Sequence, residues 1–145
     1  MGAIGIVLAA GAGRRMGGPK ALVGDWAAPR TPVEEVATRL HDGGCPRVLA
    51  VIGAEADAVR AAVGTAPPWL RLVEAADWSA GLGASLGAGL RAAGDATVAL
   101  VSLVDLPDVR ADVVARFLAT VPLGERTLAR AVYRGVPGHP VLIGR

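Results

Sequence analysis

The fold of this chain is decided by the stretch Ile4-Gly5-Ile6-Val7-Leu8-Ala9-Ala10-Gly11-Ala12-Gly13-Arg14-Arg15-Met16-Gly17-Gly18-Pro19-Lys20. The apolar run Ala3–Ala9 predicts a buried β-strand, and the glycines that follow it predict a loop. The loop carries the cations Arg14, Arg15 and Lys20, the last being the single lysine of the chain. Glycine lets backbone N–H groups approach an anion closely, and arginine and lysine neutralise its charge. The stretch therefore predicts a site for a polyphosphate.

Composition places the chain among folded, single-domain proteins. Its 145 residues suit one core, and a content of 52% hydrophobic and 19% charged residues argues against disorder. The net charge of +2 comes from scattered basic residues with few aromatics, so we expect no nucleic-acid partner. The N-terminal apolar run is too short for a membrane span of about 20 residues. The lone Cys45 excludes an internal disulfide or a thiolate metal site, which fits a cytoplasmic protein.

Apolar runs alternate with helical patterns along the chain. We expect strands at Ala3–Ala9, Arg47–Ile52, Leu70–Val73, Ala96–Leu103, Leu128–Tyr133 and Pro140–Ile143. We expect helices from Thr31 to about His41, at Glu55–Val63, at Leu82–Ala93, and from a cap at Asp108 to about Thr120. This pattern predicts an α/β fold: a three-layer, mostly parallel, Rossmann-like sheet with helices on both faces. The last two strands, joined by a turn at Arg134–Gly138, add an antiparallel element.

Ligands of such sheets bind at the carboxyl ends of the strands. Three segments follow strand ends: the glycine-rich loop, Trp78–Leu86 and Val104–Asp108. The glycines alone are a weak signal, because dinucleotide-binding folds share it. Those folds place an acidic residue about 20 positions further on, at the end of the second strand. Here the second strand comes later and ends in Ile52-Gly53, and no G-K-S/T triplet supports a Walker loop.

Four segments, in order, carry a family pattern. They are Leu8–Lys20 (L-A-A-G-x-x-x-R-M-G-x-P-K), Asp77–Leu86 (D-W-x-x-G-x-x-x-S-L), Leu103–Pro107 (L-x-D-x-P) and Gly138–Val141 (G-H-P-V). Together they resemble the MobA-like nucleotidyltransferases, and most closely the molybdenum cofactor cytidylyltransferases. Arg30–Glu34 is also similar to the segment that opens the first helix of that family.

The resemblance implies transfer of a nucleoside monophosphate from an NTP to a phosphorylated small-molecule acceptor, with pyrophosphate leaving. Such a reaction concentrates negative charge on phosphoryl groups, so its catalysis depends largely on positioning and charge neutralisation. A phosphate acceptor is already anionic and needs no dedicated general base. The expected function is therefore compatible with a chain that has only two histidines.

The resemblance also implies roles for individual residues. Arg15 and Lys20 would hold the triphosphate and act in catalysis with Asp105, which would also bind Mg²⁺ as a hard oxygen ligand. His139 would help to hold the acceptor. The nucleotide-binding set is Leu8, Ala9, Ala10, Gly11, Gly13, Arg14, Gly17, Gly81, Gly83 and Ser85.

Structural alternatives to these roles are open. Lys20 and Arg14 could be solvated loop cations, Asp105 a turn residue before Pro107, and His139 a strand residue fixed by Pro140. Gly81, Gly83 and Ser85 could simply begin a helix, with Ser85 at the surface. Trp78 reads as an apolar lid or packing residue rather than a stacking platform.

The choice of base and acceptor rests on smaller differences. The guanylyltransferases usually carry L-A-G-G where this chain has Leu8-Ala9-Ala10-Gly11, and D-K where it has Pro19-Lys20. CTP is therefore favoured, and the expected acceptor is a molybdenum–pterin cofactor. The alternatives are a guanylyltransferase, another NTP:phosphate nucleotidyltransferase with a sugar phosphate or phospholactate acceptor, or a truncated nucleotide-binding protein without turnover.

Two departures from the family pattern accompany the match. Ala75 and Ala76 stand where the family often has an asparagine. Relatives also continue past Gly144-Arg145 with a helical region and a second acidic residue near the metal. We therefore expect residues 1–145 to form a single MobA-like domain that lacks the C-terminal end of the family domain. A face left uncovered in this way predicts self-association into a homo-oligomer.

Overall fold

The computed structural model describes residues 3–11, 30–106 and 109–145. Within these ranges the chain forms a mixed sheet whose strands are β1 (Ile4–Leu8), β2 (Val48–Ile52), β3 (Leu70–Glu74), β4 (Val98–Leu103), β5 (Leu128–Tyr133) and β6 (Val136–Gly144). The order across the sheet is β3-β2-β1-β4-β6-β5. The first four strands run parallel, β6 is antiparallel to β4, and β5 is antiparallel to β6. The predicted α/β architecture is confirmed.

Helices cover both faces of the sheet. They are α1 (Pro32–Asp42), α2 (Ala56–Val63), α3 (Leu82–Ala92) and α4 (Ala111–Thr120), and a short 3-10 turn at Trp78–Ala80 precedes α3. Alternate side chains of β1 point in opposite directions, as the period of a strand requires. Val7 lies in the core with α1, α2 and α4, whereas Ile4, Ile6 and Leu8 lie in the core with α3. A central strand buried on both faces explains the continuous apolar run in the sequence.

The predicted start of α1 is confirmed in detail. Thr31 occupies the N-cap, where its hydroxyl accepts from the Glu34 N–H at 3.2 Å. The Glu34 carboxylate in turn accepts from the Thr31 N–H at 3.2 Å, which completes a capping box. The start of α4 differs from the prediction. Its N-cap position falls on Arg110, which makes no side-chain cap bond, and the predicted cap Asp108 lies outside the described residues.

The turn predicted at Arg134–Gly138 is wrong, because β6 begins at Val136 rather than at Pro140. Arg134 and Gly135 alone make the turn, and both have a positive φ (52° and 80°). That geometry suits a two-residue hairpin, whose twist matches the flanking strands. The first half of β6 tolerates Pro137 because β4 pairs only with the stretch 141–144. Beyond that stretch β6 has an open side, where a missing N–H breaks no ladder bond.

Exposed large apolar side chains of the described ranges lie mainly on this hairpin. Leu128 is 80% exposed and Val136 is 65% exposed, and Val132 and Tyr133 are also exposed. Self-association through an uncovered face stays a prediction. None of the helices in the described part of the chain is both long and apolar enough to pass through a membrane.

Helix α3 approaches the sheet closely because Gly89 has no side chain. A Cβ at this position would lie 3.0 Å from Cγ2 of Ile6 and 3.0 Å from Cγ2 of Val51. At Gly87, two residues earlier, a Cβ would meet only the end of the Arg91 side chain, which can move. The close contact of α3 with β1 and β2 therefore depends on Gly89.

We predict that Gly89→Val lowers the free energy of unfolding by about 1–3 kcal/mol, because overpacking forces the helix from the sheet. Gly87→Val, which adds the same side chain to the same helix, should change it little. Denaturant unfolding measures both, and the midpoint should move at constant slope. Equal destabilisation by the two variants would contradict this account of the packing.

Candidate functional site

Backbone hydrogen bonds join the ends of the four parallel strands at the carboxyl edge of the sheet. They run from Ala9 N to Val51 O (2.8 Å), from Ala54 N to Ala10 O (3.0 Å), from Ala75 N to Ile52 O (2.8 Å), and from Val104 N to Leu8 O (3.2 Å). The segments that leave these strands therefore start from fixed positions beside one another. This is the edge at which parallel α/β sheets bind ligands.

A cavity of about 320 Å³ opens at this edge, and we call it the first cavity. Its walls come from the end of β1, the segment that leads into α3, and the end of β4. The lining residues are Leu8, Ala10, Gly11, Trp78, Ser79, Gly81, Leu82, Ser85, Leu103 and Asp105. Six of the ten belong to the set predicted from sequence: Leu8, Ala10, Gly11, Gly81, Ser85 and Asp105. The fold thus gathers residues from three distant motifs around one space.

The other residues predicted to bind the nucleotide and its phosphates divide into two groups. Ala9 is buried in the core on the opposite face, with α1, and Gly83 is exposed in the first turn of α3; neither lines the cavity. The remaining members lie outside the described residues. They are Gly13, Arg14, Arg15, Gly17 and Lys20.

Trp78 forms a wall of the first cavity because Gly53 makes room for it. A Cβ on Gly53 would lie 2.5 Å from the Cβ of Trp78, closer than two such atoms approach. The indole is half-buried, and it packs against the apolar residues under α3. This agrees with the packing role that the sequence predicts for Trp78. The sequence gives no sign that Gly53 is its partner.

The start of α3 contributes to the lining of the first cavity. Gly81 has φ 120° and ψ −178°, a conformation that only glycine adopts readily. Its N–H donates to the Trp78 carbonyl at 3.2 Å, which ties the helix start to the 3-10 turn. Ser85, one turn into the helix, is 3% exposed and lines the cavity, so the surface alternative for this serine is wrong.

Asp105 is the one charged residue among the described residues that line the first cavity. It is half-buried in the turn that follows β4. Residues 3–11, 30–106 and 109–145 contain no group of three or more His, Cys, Asp and Glu side chains that could hold a metal ion.

A second cavity, of about 460 Å³, lies next to the first, and Leu103 contributes to both. The turn after β4 and the β5–β6 hairpin supply its walls. They consist of Leu103, Leu106, Val109, Arg130, Tyr133, Pro137, Gly138 and His139. His139, the predicted acceptor residue, therefore lies beside the first cavity rather than in it.

The electrostatic environment connects His139 with both sides of this site. Burial lowers the pKa of His139, and the nearby Arg130 guanidinium lowers it further. The Asp105 carboxylate acts in the opposite sense and raises the pKa of His139. The charge of Arg130, in the second cavity, and the charge of Asp105, in the first, thus both act on the pKa of His139.

Sequence reasoning missed Arg130 and Tyr133 as lining residues, because both read as ordinary strand positions. They are three residues apart, so a regular strand would point them to opposite faces. The pairing is irregular here: Arg130 pairs with Val141 and Val132 pairs with Pro137, so one residue of β5 between the paired positions lies opposite three residues of β6. The one available signal was proximity to the G-H-P motif on the partner strand.

Comparison with known proteins tests the resemblance that the four motifs indicate. Residues 5–145 match the model of the MobA-like NTP transferase domain. A nicotine blue oxidoreductase of Paenarthrobacter nicotinovorans is 40% identical over 147 aligned positions, which cover 96% of this chain and 69% of that protein. The resemblance predicted from the four motifs is confirmed at the level of the family.

Solved structures share the fold. Rv0371c from Mycobacterium tuberculosis H37Rv is 26% identical with a TM-score of 0.75, covering 100% of this chain and 72% of that chain. The same protein has been solved in complex with manganese, with a TM-score of 0.71. A nucleotidyl transferase from Methanothermobacter thermautotroptrophicus (Mth528) is 25% identical with a TM-score of 0.76, covering 97% of this chain and 70% of that chain.

We predict that Arg130→Ala raises the pKa of His139, because the substitution removes a cation that disfavours the imidazolium form. Asp105→Asn should lower it, because the neutral amide no longer stabilises that form. NMR titration of the imidazole protons measures both changes, with His41 as the internal reference in a chain of two histidines. Arg126→Ala, which removes an exposed arginine ahead of β5, is the control. Shifts of the opposite sign would contradict the arrangement of these groups.

We predict that Gly81→Ala lowers the free energy of unfolding by about 1–3 kcal/mol, because any side chain strains this backbone conformation. Space is not the reason, since no atom lies within 4 Å of a Cβ built there. Gly83→Ala, two residues later in equally open space, should be neutral or stabilising by up to about 1 kcal/mol through helix propensity. Denaturant unfolding compares them, and equal effects would contradict the role given to the Gly81 backbone.

Proposed function

The chain belongs to the MobA-like NTP transferase family, and we propose that it transfers the nucleoside monophosphate of an NTP to the phosphate of a small acceptor. CTP is the favoured nucleotide, and a molybdenum–pterin cofactor is the favoured acceptor. An acceptor phosphate oxygen attacks the α-phosphorus and forms a new P–O bond. The bond from the α-phosphorus to the bridging oxygen breaks, and pyrophosphate leaves with the electron pair.

One observation carries this proposal: Asp105 stands at the boundary of two adjoining cavities. It lines the first cavity, and its charge acts on His139 in the second. A reaction that joins two phosphorylated substrates needs two sites that meet at the reacting phosphorus. The position of Asp105 after β4, in the lining of the first cavity and near His139, supports a role for its carboxylate at the reacting phosphorus.

The first cavity suits the nucleoside part of an NTP. Ala10 and Gly81 are small, and Leu82, which is 58% exposed, offers apolar surface to the face of a base. Ser79 and Ser85 supply hydroxyl groups for hydrogen bonds to the base or ribose. Gly11, the first glycine of the glycine-rich segment, lines the cavity. Gly13, Arg14, Arg15, Gly17 and Lys20 follow it in sequence, and we propose them as ligands of the phosphates.

The Asp105 carboxylate fits a divalent cation that a nucleotide brings with it. Mg²⁺ in such sites is held by one or two carboxylates, substrate phosphates and water, rather than by a cage of protein ligands. One acidic lining residue and no acidic cluster in the described ranges match that donor set. The ion would supply charge neutralisation at the α-phosphate. The manganese complex of Rv0371c supports a divalent metal in this fold.

The preference for CTP rests on Ala9-Ala10 and Pro19-Lys20, since the guanylyltransferases differ at both places. GTP, with the same acceptor, is the first alternative. In another alternative the reaction is the same, and the acceptor is a sugar phosphate or phospholactate. A nucleotide-binding protein without turnover would bind the NTP but would release no pyrophosphate.

A second candidate function follows from the relative that is 40% identical, because that relative is named an oxidoreductase. Its identity to this chain exceeds the 25–26% of the solved transferase-fold structures described above. A nucleotide cavity at the carboxyl edge of a parallel sheet could also hold the nucleotide half of NADH or NADPH. This candidate predicts binding of a reduced nicotinamide cofactor and no release of pyrophosphate.

We predict that CTP with Mg²⁺ raises the thermal midpoint more than GTP, ATP, UTP, NADH or NADPH, because ligand binding stabilises the folded state by mass action. A differential scanning panel with and without Mg²⁺ measures this ranking. Lys20→Ala should weaken CTP binding by about 1.5–3 kcal/mol, because a charged contact to phosphate is lost. Asp105→Asn should remove the Mg²⁺-dependent part of the shift.

Asp95→Asn is the matched control for Asp105→Asn. Asp95 is an exposed carboxylate in the turn before β4, at the opposite end of the strand from Asp105. It should leave the nucleotide response unchanged. Wild-type CTP binding by Asp105→Asn, in the presence and absence of Mg²⁺, would contradict the metal assignment. A larger shift with NADPH than with any NTP would favour the oxidoreductase candidate instead.

A further inference from the structure

The second cavity combines cationic groups with an apolar and aromatic surface. Arg130 and His139 are its basic side chains, and Tyr133 contributes an aromatic ring. The rest of the lining is apolar or backbone: Leu103, Leu106, Val109, Pro137 and Gly138. Such a lining suits a ligand with an anionic end and a flat, weakly polar body.

The hairpin holds its two long polar side chains in place before any ligand binds. Arg130 Nε donates to the Gly138 carbonyl at 2.9 Å, and the Tyr133 hydroxyl donates to the His139 carbonyl at 2.6 Å. The Tyr133 ring also packs across Gly138, where a Cβ would lie 2.9 Å from ring atom Cδ2. Both side chains therefore lie against the Gly138-His139 backbone, on the side that lines the cavity.

The guanidinium keeps donors for an anion in this arrangement. Arginine has five N–H donors, and the bond to Gly138 uses the one on Nε. The paired donors on the terminal nitrogens can grip a phosphate from two directions. Fixing Nε in advance reduces the conformational entropy that the side chain loses when an anion binds.

We propose, resting on the function above, that the second cavity is the acceptor site and that Arg130 is its phosphate ligand. The acceptor is a phosphate monoester whose organic group is a flat ring system, and one face of that ring lies against Tyr133 and the neighbouring apolar residues. Its phosphate faces Arg130 and the side of the cavity where Asp105 adjoins. Arg130 thereby places the attacking phosphate oxygen toward the nucleotide in the first cavity.

A polyhydroxylated sugar phosphate fits this lining less well. Sugar hydroxyl groups need many hydrogen-bond partners, and burying them without partners is unfavourable. The side chains of the lining that can hydrogen-bond are Arg130, Tyr133 and His139. The Tyr133 hydroxyl already donates to the His139 carbonyl. The cavity therefore favours an organic group that is a flat ring over a polyhydroxylated sugar.

The test uses phenyl phosphate as a probe of the site, with glucose 1-phosphate and inorganic phosphate for comparison. NMR can follow the site directly, because Tyr133 is the one tyrosine of the chain and His139 is one of its two histidines. Phenyl phosphate at millimolar concentration should shift the Tyr133 and His139 resonances and leave those of His41 in place. It should bind several-fold more tightly than glucose 1-phosphate or inorganic phosphate.

Arg130→Ala should weaken phenyl phosphate binding about tenfold or more, because it removes a charge-assisted contact. Arg130→Lys should recover part of that loss, since it restores the charge without the fork of donors. Arg126→Ala removes the same charge from an exposed site ahead of β5 and should bind as the wild type does. Arg130 is itself exposed, so its replacement should leave the fold intact, and the unchanged His41 resonances verify this.

The outcomes separate this proposal from the proposed function. Arg130→Ala should keep the wild-type thermal shift with CTP and Mg²⁺, because Arg130 does not line the nucleotide cavity. Loss of the CTP response in Arg130→Ala would overturn the proposal and move Arg130 to the triphosphate. Equal phenyl phosphate binding by wild type and Arg130→Ala, or none by the wild type, would also overturn it. If no NTP binds while Arg130→Ala still loses phenyl phosphate, the second cavity remains a phosphate-monoester site, and it is the transferase proposal that fails.

Discussion

The site depends on the parallel pairing of β1 with β4. These strands come from distant parts of the chain, yet their register pairs Leu8 with Leu103, and Val104 N donates to the Leu8 carbonyl. The pairing brings Ala10, Gly11 and Asp105 to one edge of the sheet, where all three line the first cavity. A register shift of one residue would turn the apolar side chains of β1 to the wrong core and withdraw Asp105 from the cavity. Burial of β1 on both faces makes such a shift costly.

Backbone, rather than side chains, forms much of the framework around the two cavities. Gly53 admits Trp78, and Gly138 admits the ring of Tyr133, because a Cβ at either position would overlap the aromatic side chain. Each glycine thus fixes one aromatic wall through close contact with the main chain. Trp78 borders the first cavity and Tyr133 borders the second. This arrangement links packing to function, since a methyl group at either glycine would move a wall.

Charge is balanced across the boundary between the cavities. Arg130 and Asp105 act on His139 in opposite directions, and burial adds to the effect of Arg130. The effects of burial and of Arg130 both favour the neutral form of His139, so Arg130 carries the fixed positive charge of the second cavity. A fixed cation on one side and a carboxylate suited to a divalent ion on the other would hold two anionic substrates close together. Without them, repulsion between phosphates would oppose the encounter.

The α/β class and the capping box of α1 could be predicted from the sequence alone, since hydrophobic periodicity and local capping motifs act over short distances. The site residues came from the resemblance to a family, and the structure brings six of them, Leu8, Ala10, Gly11, Gly81, Ser85 and Asp105, to one cavity. Sequence reasoning failed at the hairpin turn, because prolines were read as strand breaks without knowledge of which side of β6 is unpaired. Only the tertiary structure decided that Arg130 and Tyr133 share a cavity with His139. The residues of this cavity come from β5, β6 and the turn after β4, and no local pattern encodes contacts between elements so far apart in the chain.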